Sequence, residues 1–203
     1  MRLSNSILII LASLLFHSCY TVGHRTIKEF NSCYNNEKTG IDTLMNINGY
    51  YNIDYIFEDE KTGKKSTRTE VIVFSDDGVY IEAATLEFFL NAVDNKIWES
   101  KSFDMGIYNI TNDTVWVKYI YIGSSYSGCE TKKYQILDSN TLNMIFYGNC
   151  NNPPEPFKNS FISSNAKFIS FENLPNPDDM WIKGKAWFWC DKSAFTRWKK
   201  SHR

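Results

Sequence analysis

The sequence has few of the residues that carry the commonest catalytic chemistry. It contains three histidines, His17, His24 and His202, all towards the ends of the chain. A serine or cysteine nucleophile in the central part would therefore lack its usual base, and a metal site of the His/Cys type is equally unsupported. Glycine motifs that bind phosphates or dinucleotides are also missing. We predict a protein that is not an enzyme and that holds neither a metal nor a cofactor.

The chain also lacks an excess of charge of either sign. The formal net charge is −1, from 22 basic and 23 acidic residues, whereas domains that bind nucleic acid are usually strongly basic. Glycine and proline number 10 and 5 among 203 residues, and 43% of the residues are apolar. This composition excludes wholesale disorder, and the length predicts one domain with a sizeable core. We expect no nucleic acid among the partners.

The N-terminus has the layout of a secretory signal. Residues 1–18 contain one basic residue, Arg2, followed by an apolar run from Ile7 to Phe16. This run is too short to cross the hydrocarbon core of a bilayer, which takes about 20 residues. A basic residue followed by a short apolar run is typical of a signal peptide, and a buried core helix is the alternative. We predict that residues 1–18 direct export of the chain.

A cysteine follows the apolar run. Residues 14–19, which read LLFHSC, resemble the lipobox of bacterial lipoproteins in the relaxed form common in the Bacteroidetes phylum. The resemblance implies that Cys19 is acylated and becomes the mature N-terminus, with residues 19–44 as a tether. Surface-export signals of that phylum place acidic residues after the cysteine. Their absence here favours an outer-membrane protein that faces the periplasm. Ordinary cleavage after Gly23 is the alternative, and it would discard Cys19.

Four further cysteines give information on the cellular compartment of the protein. They are Cys33, Cys129, Cys150 and Cys190. An even number of cysteines in an exported chain suggests disulfide bonds, because these bonds persist outside the cytoplasm. Four unpaired thiols, packed as small apolar side chains, are the alternative.

The stretch between the second and third of these cysteines reads as a β-hairpin. Two β-like runs flank a turn at residues 138–141, and a two-residue loop in that turn places Leu137 opposite Leu142 and Cys129 opposite Cys150. Side chains opposed across antiparallel strands have Cβ atoms ~4.5–5.5 Å apart. We therefore predict a Cys129–Cys150 disulfide, and the other two cysteines then form the second bond.

From residue 47 onward, apolar and polar residues alternate. Tyr51, Ile53 and Tyr55 share one face of the first run, and polar residues dominate the other, as in a strand with one apolar face. Tight turns at residues 76–78 and 111–113 separate further runs of this kind. About eight short strands in succession predict an antiparallel meander. Such sheets commonly close into barrels because closure removes exposed edges.

Three stretches are similar to the lipocalin-like lipoproteins of gut bacteria. They are residues 48–51 (NGYY), residues 75–78 (SDDG), and residues 106–108 (GIY) ahead of residues 112–114 (NDT). The resemblance covers about residues 45–172. It implies an all-β fold, in which an antiparallel meander closes into a lipocalin-like barrel of about eight strands. A short helical insertion at residues 84–105 and a tryptophan-rich tail depart from it.

The barrel interior is the place where we expect a ligand. An eight-stranded barrel has an interior that side chains fill or that one small ligand occupies. We predict that Tyr51, Tyr55, Trp116 and Tyr119 are among the residues that line the interior or the mouth and bind the ligand. Trp116 and Tyr119 stand three residues apart in one strand, so only one of the two points inward.

The C-terminal segment, residues 173–203, has an unusual composition. From residue 181 onward it contains four of the six tryptophans, seven lysines and arginines, and one acidic residue, Asp191. We expect the segment to be partly helical. Three interpretations stay open: packing on the barrel with solvated lysines, contact with anionic lipid headgroups, and docking to a partner protein through cation–π contacts. The tryptophans are Trp181, Trp187, Trp189 and Trp198.

These features predict a lipid-anchored, non-enzymatic envelope protein that binds a small apolar or aromatic ligand, or a glycan, at the barrel mouth. The first alternative is an interaction or structural subunit with a filled barrel, which docks an envelope protein or the membrane through residues 173–203. A weaker alternative is a carboxylate-based hydrolase. Asp54 and Glu58 share a strand face, but they lie about 13 Å apart, which is wide for a glycosidase pair.

Overall fold

The computed structural model describes residues 22–58, 62–95, 97, 103–122, 127–150, 161–162 and 165–202. The predicted signal peptide and Cys19 lie outside these residues. The described strands are β1 (Gly49–Glu58), β2 (Lys65–Phe74), β3 (Val79–Ala83), β4 (Asp104–Thr111), β5 (Thr114–Ile122), β6 (Ser127–Asp138), β7 (Thr141–Asn149), β8 (Phe161–Ile162) and β9 (Asn165–Ser170). The described α-helices are α1 (His24–Phe30), α2 (Leu86–Asn95) and α3 (Lys192–Ser201). Within this part of the chain, no helix has the length and apolar character needed to cross a membrane.

The described strands form one antiparallel sheet that closes on itself. Each strand from β1 to β6 pairs with the next along the chain, β9 pairs with β7, and β1 pairs with both β9 and β2. The short strand β8 pairs with β1 beyond the end of β9. This arrangement confirms the predicted lipocalin-like all-β barrel. The helical insertion is present as α2.

Two of the predicted turns use residues that accept a left-handed backbone. Gly78 in the β2–β3 turn has φ +97°, and Asn112 in the β4–β5 turn has φ +57°. Glycine adopts positive φ without steric cost, and asparagine adopts it more readily than most residues do. The turn signals therefore placed these two hairpins correctly.

The β6–β7 hairpin carries the predicted disulfide but not the predicted register throughout. Cys129 and Cys150 are bonded, with Cα atoms 5.5 Å apart. Near the turn, however, Ile136 and not Leu137 faces Leu142, because register shifts interrupt the pairing at two points. The shifts keep Ile136 and Leu142 on the inner face and leave Leu137 51% exposed. Burial on the inner face sets the register of a barrel strand, and bulges absorb the mismatch.

The N-terminal segment closes one end of the barrel, which we call the plugged end. Ile41 and Met45 are 0% and 2% exposed, and the Tyr51 hydroxyl donates a hydrogen bond to the carbonyl of Asn46 (2.9 Å). Residues 22–44 are therefore folded onto the barrel, and the predicted tether is wrong for them, since apolar burial fixes them in place. The inner side chains at this end are Tyr51, Phe74, Tyr108, Val115, Leu142 and Phe168.

A second apolar core lies outside the barrel wall. There α1, α2 and residues 171–190 cover the outer faces of strands β2 to β5. Trp181 and Trp189 are 7% and 5% exposed, and the Trp189 indole donates a hydrogen bond to the carbonyl of Lys183 (2.8 Å). The tryptophan-rich segment therefore packs on the barrel, but not with all of its lysines solvated as the first interpretation expected, because Lys183 is buried.

A disulfide joins this C-terminal segment to the N-terminal segment, and a buried lysine joins it to the β2–β3 turn. Cys33 and Cys190 form the second predicted disulfide, with Cα atoms 4.9 Å apart. Lys183 is 1% exposed and donates hydrogen bonds to Asp77 and to Asp178 (3.0 Å). Burial alone raises the pKa of Asp77, but the Lys183 charge together with hydrogen bonds from Lys183, Ser75 and Tyr34 outweighs it and holds that pKa below its ordinary value. We call this ion pair set the Lys183 latch, because it connects chain segments that the sheet does not connect.

Candidate ligand site at the polar end of the barrel

Charged side chains occupy the inner face at the other end of the barrel, which we call the polar end. Each stands two residues from a buried aromatic or apolar residue of its own strand, so the alternation of a strand turns it inward. They are Glu70 on β2, Glu82 on β3 and Lys132 on β6, and they are 5%, 4% and 2% exposed. Together with Tyr55, Tyr80, Tyr119 and Tyr134 they form what we call the Lys132 cluster.

The Lys132 ammonium is the centre of this cluster. Its Nζ donates hydrogen bonds to Glu82 Oε2 (2.7 Å), Glu70 Oε2 (3.0 Å) and Tyr55 Oη (3.2 Å). These three bonds use all three protons of the ammonium. The Nζ also lies 5.2 Å from the ring centroids of Tyr55 and Tyr119, within the range of a cation–π interaction. The barrel therefore holds an ammonium group in a cage of carboxylates and phenols.

The two carboxyl groups of the cluster titrate in opposite directions. Burial raises the pKa of Glu82 to about 8, and the neighbouring charges of Glu70 and Asp104 add to the rise although Lys132 opposes it. Burial also raises the pKa of Glu70, but Lys132 and Arg68 outweigh it and hold that pKa below its ordinary value. Arg68 contributes because its Nε lies 3.1 Å from Glu70 Oε1. At neutral pH the cluster thus holds one carboxyl that keeps its proton and one that is ionised.

A half-buried outer layer lies between the cluster and the polar end of the barrel. Asp104 stands directly across from Glu82 in the β3–β4 pair. Glu130 accepts hydrogen bonds from Tyr119 and from Tyr147 (2.7 Å). Among the described residues, none donates a hydrogen bond to the Asp104 carboxyl, and burial raises its pKa to about 7. Within the described part of the chain, the outer layer therefore presents one carboxyl that receives no hydrogen bond beside one that phenols hold in position.

A glycine makes room in this outer layer. Gly128 lies opposite Tyr121 in the β5–β6 pair. A Cβ atom at position 128 would lie 2.3 Å from the Tyr121 ring, far inside van der Waals contact. The absence of a side chain at Gly128 thus lets an aromatic ring lie flat against the β6 backbone at the rim of the polar end.

The free-energy cost of burying charged groups indicates that this cluster does more than fill the barrel interior. A buried ion pair seldom stabilises a fold more than apolar side chains of the same volume would. Groups whose pKa values are strongly shifted by burial and by a charged neighbour are instead typical of functional sites. Hydroxyl and carboxyl groups at this end offer hydrogen bonds to a polar ligand, which the apolar plugged end does not.

The residues predicted from the sequence fall in three places. Tyr55 and Tyr119 belong to the Lys132 cluster. Tyr51 lies inside the barrel but at the plugged end, where it contacts Phe74 and donates to backbone carbonyls. Trp116 lies on the outer wall, 41% exposed, with Lys133 Nζ 3.5 Å from its ring centroid. Trp116 and Tyr119 could not both point inward, and Tyr119 is the one that does.

Sequence reasoning missed the charged members of the site. Glu70, Glu82, Lys132 and Asp104 were not among the predicted residues. A signal for the first three was present, because each shares its strand face with apolar or aromatic residues: the β3 sequence, VYIEA, is buried throughout and has one carboxylate. The two carboxylates considered from sequence do not contribute. Asp54 is exposed and accepts a hydrogen bond from Thr69 (2.5 Å), and the side chain of Glu58 lies outside the described residues.

A second concave region lies on the outer surface near the plugged end. This groove has a volume of about 280 Å³ and lies between residues 33–39 and the end of β4. Asp77, its buried carboxylate, is already held by the Lys183 latch. For metal binding, the residues that the structure describes contain no convergent set of three His, Cys, Asp or Glu side chains. The polar end is thus the better candidate site.

The fold and the site together define a closed antiparallel β-barrel with a charged, phenol-lined end. No protein-family model matches the chain, and comparisons with curated proteins and with solved structures found no match. Because a barrel of this kind hosts many functions, the function has to be argued from the chemistry of the polar end.

Proposed function

We propose that this chain is a lipid-anchored protein of the bacterial cell envelope that binds a small polar ligand at the polar end of its barrel without transforming it. The anchor is Cys19, in an outer membrane whose periplasmic side the barrel faces. Export is supported by the two disulfides, since such bonds are rare in the cytoplasm. The ligand class is a glycan or another molecule rich in hydroxyl or amino groups.

One observation carries the binding proposal: none of the described residues donates a hydrogen bond to the half-buried Asp104 carboxyl, which lies beside a fully bonded cluster. Lys132 already donates hydrogen bonds to Glu70 and Glu82, so these two carboxyl groups hold the cluster in position and do not bind the ligand themselves. Asp104 and Glu130 are the acceptors that remain accessible to a ligand. A hydroxyl or ammonium group on a ligand would supply the donor that Asp104 lacks, and it would gain a charge-assisted hydrogen bond in a place of low dielectric constant.

The same interior supports a polar ligand over an apolar one. At the plugged end, the protein's own rings fill the barrel: Phe74 contacts Tyr51, Tyr80, Tyr108 and Tyr134 with ring centroids 5.3–6.2 Å apart. An apolar ligand would have to displace these side chains. The phenol rings around Lys132 have flat faces, and carboxyl groups that accept hydrogen bonds lie beside them. This arrangement suits a sugar or an amine.

Native mass spectrometry tests the proposal most simply. The protein is expressed in the envelope of its own organism and purified without denaturation. We expect a mass in excess of the lipidated polypeptide, which collision releases as one small molecule. Asp104→Asn removes the charged acceptor and should lower the occupied fraction. Asp113→Asn, in an exposed turn at the plugged end, is the matched control and should leave it unchanged.

Two results would contradict this assignment. A bare polypeptide mass for the unaltered protein would argue against a retained ligand and in favour of a filled, structural barrel. An adduct that survives equally in both variants would place the ligand elsewhere, with the groove beside residues 33–39 as the next candidate. Loss of the adduct in Tyr119→Phe but not in Trp116→Phe would instead support the proposal. It would show that the ligand contacts the inner wall of the barrel and not the outer wall.

A carboxylate-based hydrolase is the second candidate, because one observation favours it. Glu70 and Glu82 lie within 3.0 Å and 2.7 Å of one ammonium and have pKa values displaced in opposite directions, as an acid and a base would. Lys132 occupies the space between them, however, where a scissile bond would have to lie. Turnover of a chromogenic glycoside by the wild type and its loss in Glu82→Gln would establish the hydrolase and contradict our proposal.

A further inference from the structure

The described chain begins at the rim of the polar end. The Gly23 amide donates a hydrogen bond to Ser127 Oγ (3.1 Å), and Thr26 Oγ1 donates to the Ser127 carbonyl (3.0 Å). Ser127 is the first residue of β6 and pairs with Ile122, the last residue of β5. Val22 packs on the core of the outer wall. The N-terminal residues are thus fixed beside the end of the barrel that contains the Lys132 cluster.

The distance from this rim to the proposed anchor is short. Cys19 precedes Val22 by three residues, and three residues span at most about 11 Å. A strand of ten residues such as β1 rises about 33 Å, which at the usual strand tilt separates the two ends of the barrel by about 25 Å. An acyl chain on Cys19 therefore holds the polar end much closer to a bilayer than the plugged end.

The charges on the turns also favour the polar end, and not the plugged end, as the end nearer the membrane. The plugged end is acidic at its turns: Asp42, Asp76, Asp113 and Asp138 lie there, and Lys38 is 3.6 Å from Asp76. These carboxylates would be repelled by the anionic headgroups of a bacterial membrane. At the polar end, Lys64 and Lys65 are exposed before and at the start of β2. Arg25 on α1 is also exposed, but it pairs with Glu29 (2.7 Å) and the pair adds no net charge.

From the chain length and the charges, we infer that the rim of the polar end is a membrane-contact surface, so that the ligand reaches the Lys132 cluster from the lipid side. This inference rests on the lipid anchor of the proposed function. The partner is the phospholipid surface that holds the anchor. A ligand carried in that surface or released at it would meet Asp104 and Glu130 first.

The basic helix α3 is the rival contact surface. It carries Lys192, Arg197, Lys199 and Lys200 on exposed positions. It lies beside Asp178, which receives hydrogen bonds from Trp198 (3.3 Å) and from Lys183. Because Lys183 also binds Asp77 in the β2–β3 turn, α3 lies towards the plugged end of the wall. If α3 contacted the membrane, the polar end of the barrel would therefore face away from the membrane.

Fluorescence quenching by labelled lipid tests the inference. The full-length, lipidated protein is reconstituted in vesicles of phosphatidylethanolamine and phosphatidylglycerol that contain lipid with a nitroxide on the headgroup. One fluorophore is attached at a time, through Thr67→Cys at the polar end, Ser139→Cys at the plugged end or Lys200→Cys on α3; all three positions are exposed. We expect the largest loss of fluorescence at position 67 and none at position 139.

The outcomes separate the inference from the anchor on which it rests. Stronger quenching at position 200 than at position 67, or equal quenching at all three positions, would overturn the orientation while leaving the anchor intact. If the protein does not bind vesicles, or if Cys19→Ser binds them as well as the wild type does, the lipid anchor of the proposed function is contradicted instead. Proteins that bind through Cys19 and are quenched at position 67 support both.

Discussion

The two halves of the barrel interior are built from the same strands but filled in opposite ways. Strand β2 contributes Phe74 to the plugged end and Glu70 to the polar end, and both side chains are buried, at 2% and 5% exposure. The plugged end is packed ring against ring. The polar end places an ammonium, two carboxyl groups and four phenols in the same kind of space. The fold can evidently fill this barrel with apolar side chains, so folding alone does not require the charges at the polar end.

A second buried lysine shows what a structural ion pair looks like in this molecule. The Lys183 latch joins the C-terminal segment to the β2–β3 turn, where Asp77 also accepts a hydrogen bond from Tyr34 of the N-terminal segment. Lys132 connects β2, β3 and β6, which the backbone hydrogen bonds of the closed sheet already hold. Because the C-terminal segment is not a strand of the barrel sheet, the latch adds a connection between that segment and the barrel, whereas the Lys132 cluster adds chemistry to a sheet that is already closed.

The largest effect that this comparison predicts is for Lys132→Met. The substitution leaves Glu70 and Glu82 buried without their shared cation, which typically costs about 3–5 kcal/mol. We expect the free energy of unfolding in urea at pH 7 to fall by that amount. Lys133→Met is the matched control: its side chain lies on the outer wall over Trp116, and surface substitutions usually change stability by less than about 0.5 kcal/mol. Equal effects of the two variants would remove the distinction between the inner and outer faces.

The next effect is a fall in stability as the pH rises. The pKa values of Glu82 and Asp104 are about 8 and about 7 in the folded barrel, against ordinary values of 4.5 and 3.8. Between pH 5 and pH 7 the unfolded chain has lost both protons while the folded chain keeps them, and the folded chain keeps the Glu82 proton up to about pH 8. Raising the pH therefore favours unfolding, by at most about 1.4 kcal/mol per pH unit for each carboxyl.

The measurement is the free energy of unfolding in urea at intervals across this pH window. The lowered pKa of Glu70 affects stability only below its ordinary value of 4.5 and so does not cancel the slope. The double variant Glu82→Gln with Asp104→Asn should flatten the profile. A wild-type stability that is constant or rises from pH 5 to pH 8 would show that these carboxyls are ionised in the fold.

The smallest effect is expected at the plugged end. Leu142 is fully buried there, and Leu142→Met keeps its volume and apolar character. Exchanges of this kind usually cost less than about 1.5 kcal/mol, so we expect a small shift of the urea midpoint and an unchanged ligand adduct. A loss of ligand with this variant would mean that the plugged end belongs to the site, and the contrast between the two ends would fail.

Much of the fold could be predicted from the sequence because its signals are local. The turn at residues 76–78 and the paired spacing of Cys129 and Cys150 each depend on neighbouring residues, and the structure has both. The register at Leu137 could not be predicted in this way. It depends on which side chains the closed barrel buries, and a bulge, which no local pattern indicates, resolves the conflict.

The site was less predictable than the fold. Tyr55 followed from alternation alone, but alternation left open whether Trp116 or Tyr119 pointed inward. Lys132 and Lys133 are adjacent and chemically identical, and only the closure of the barrel decides that one is buried in a cage and the other lies on the outer wall. The charged cluster is a product of long-range pairing between β2, β3 and β6, which a single sequence does not encode locally.

The most direct test of the central claim, that the Lys132 cluster serves binding and not folding, is the free energy of unfolding of one quadruple variant. Glu70→Leu, Glu82→Leu and Lys132→Met replace the charges by apolar side chains, and Tyr80→Phe removes the phenol that donates to Glu82. Replacing a buried ion cluster in this way is typically neutral or stabilising by about 1–4 kcal/mol. We predict a folded barrel at least as stable as the wild type that no longer retains its ligand. A variant that loses several kcal/mol of stability, or that still carries the ligand, would contradict the account.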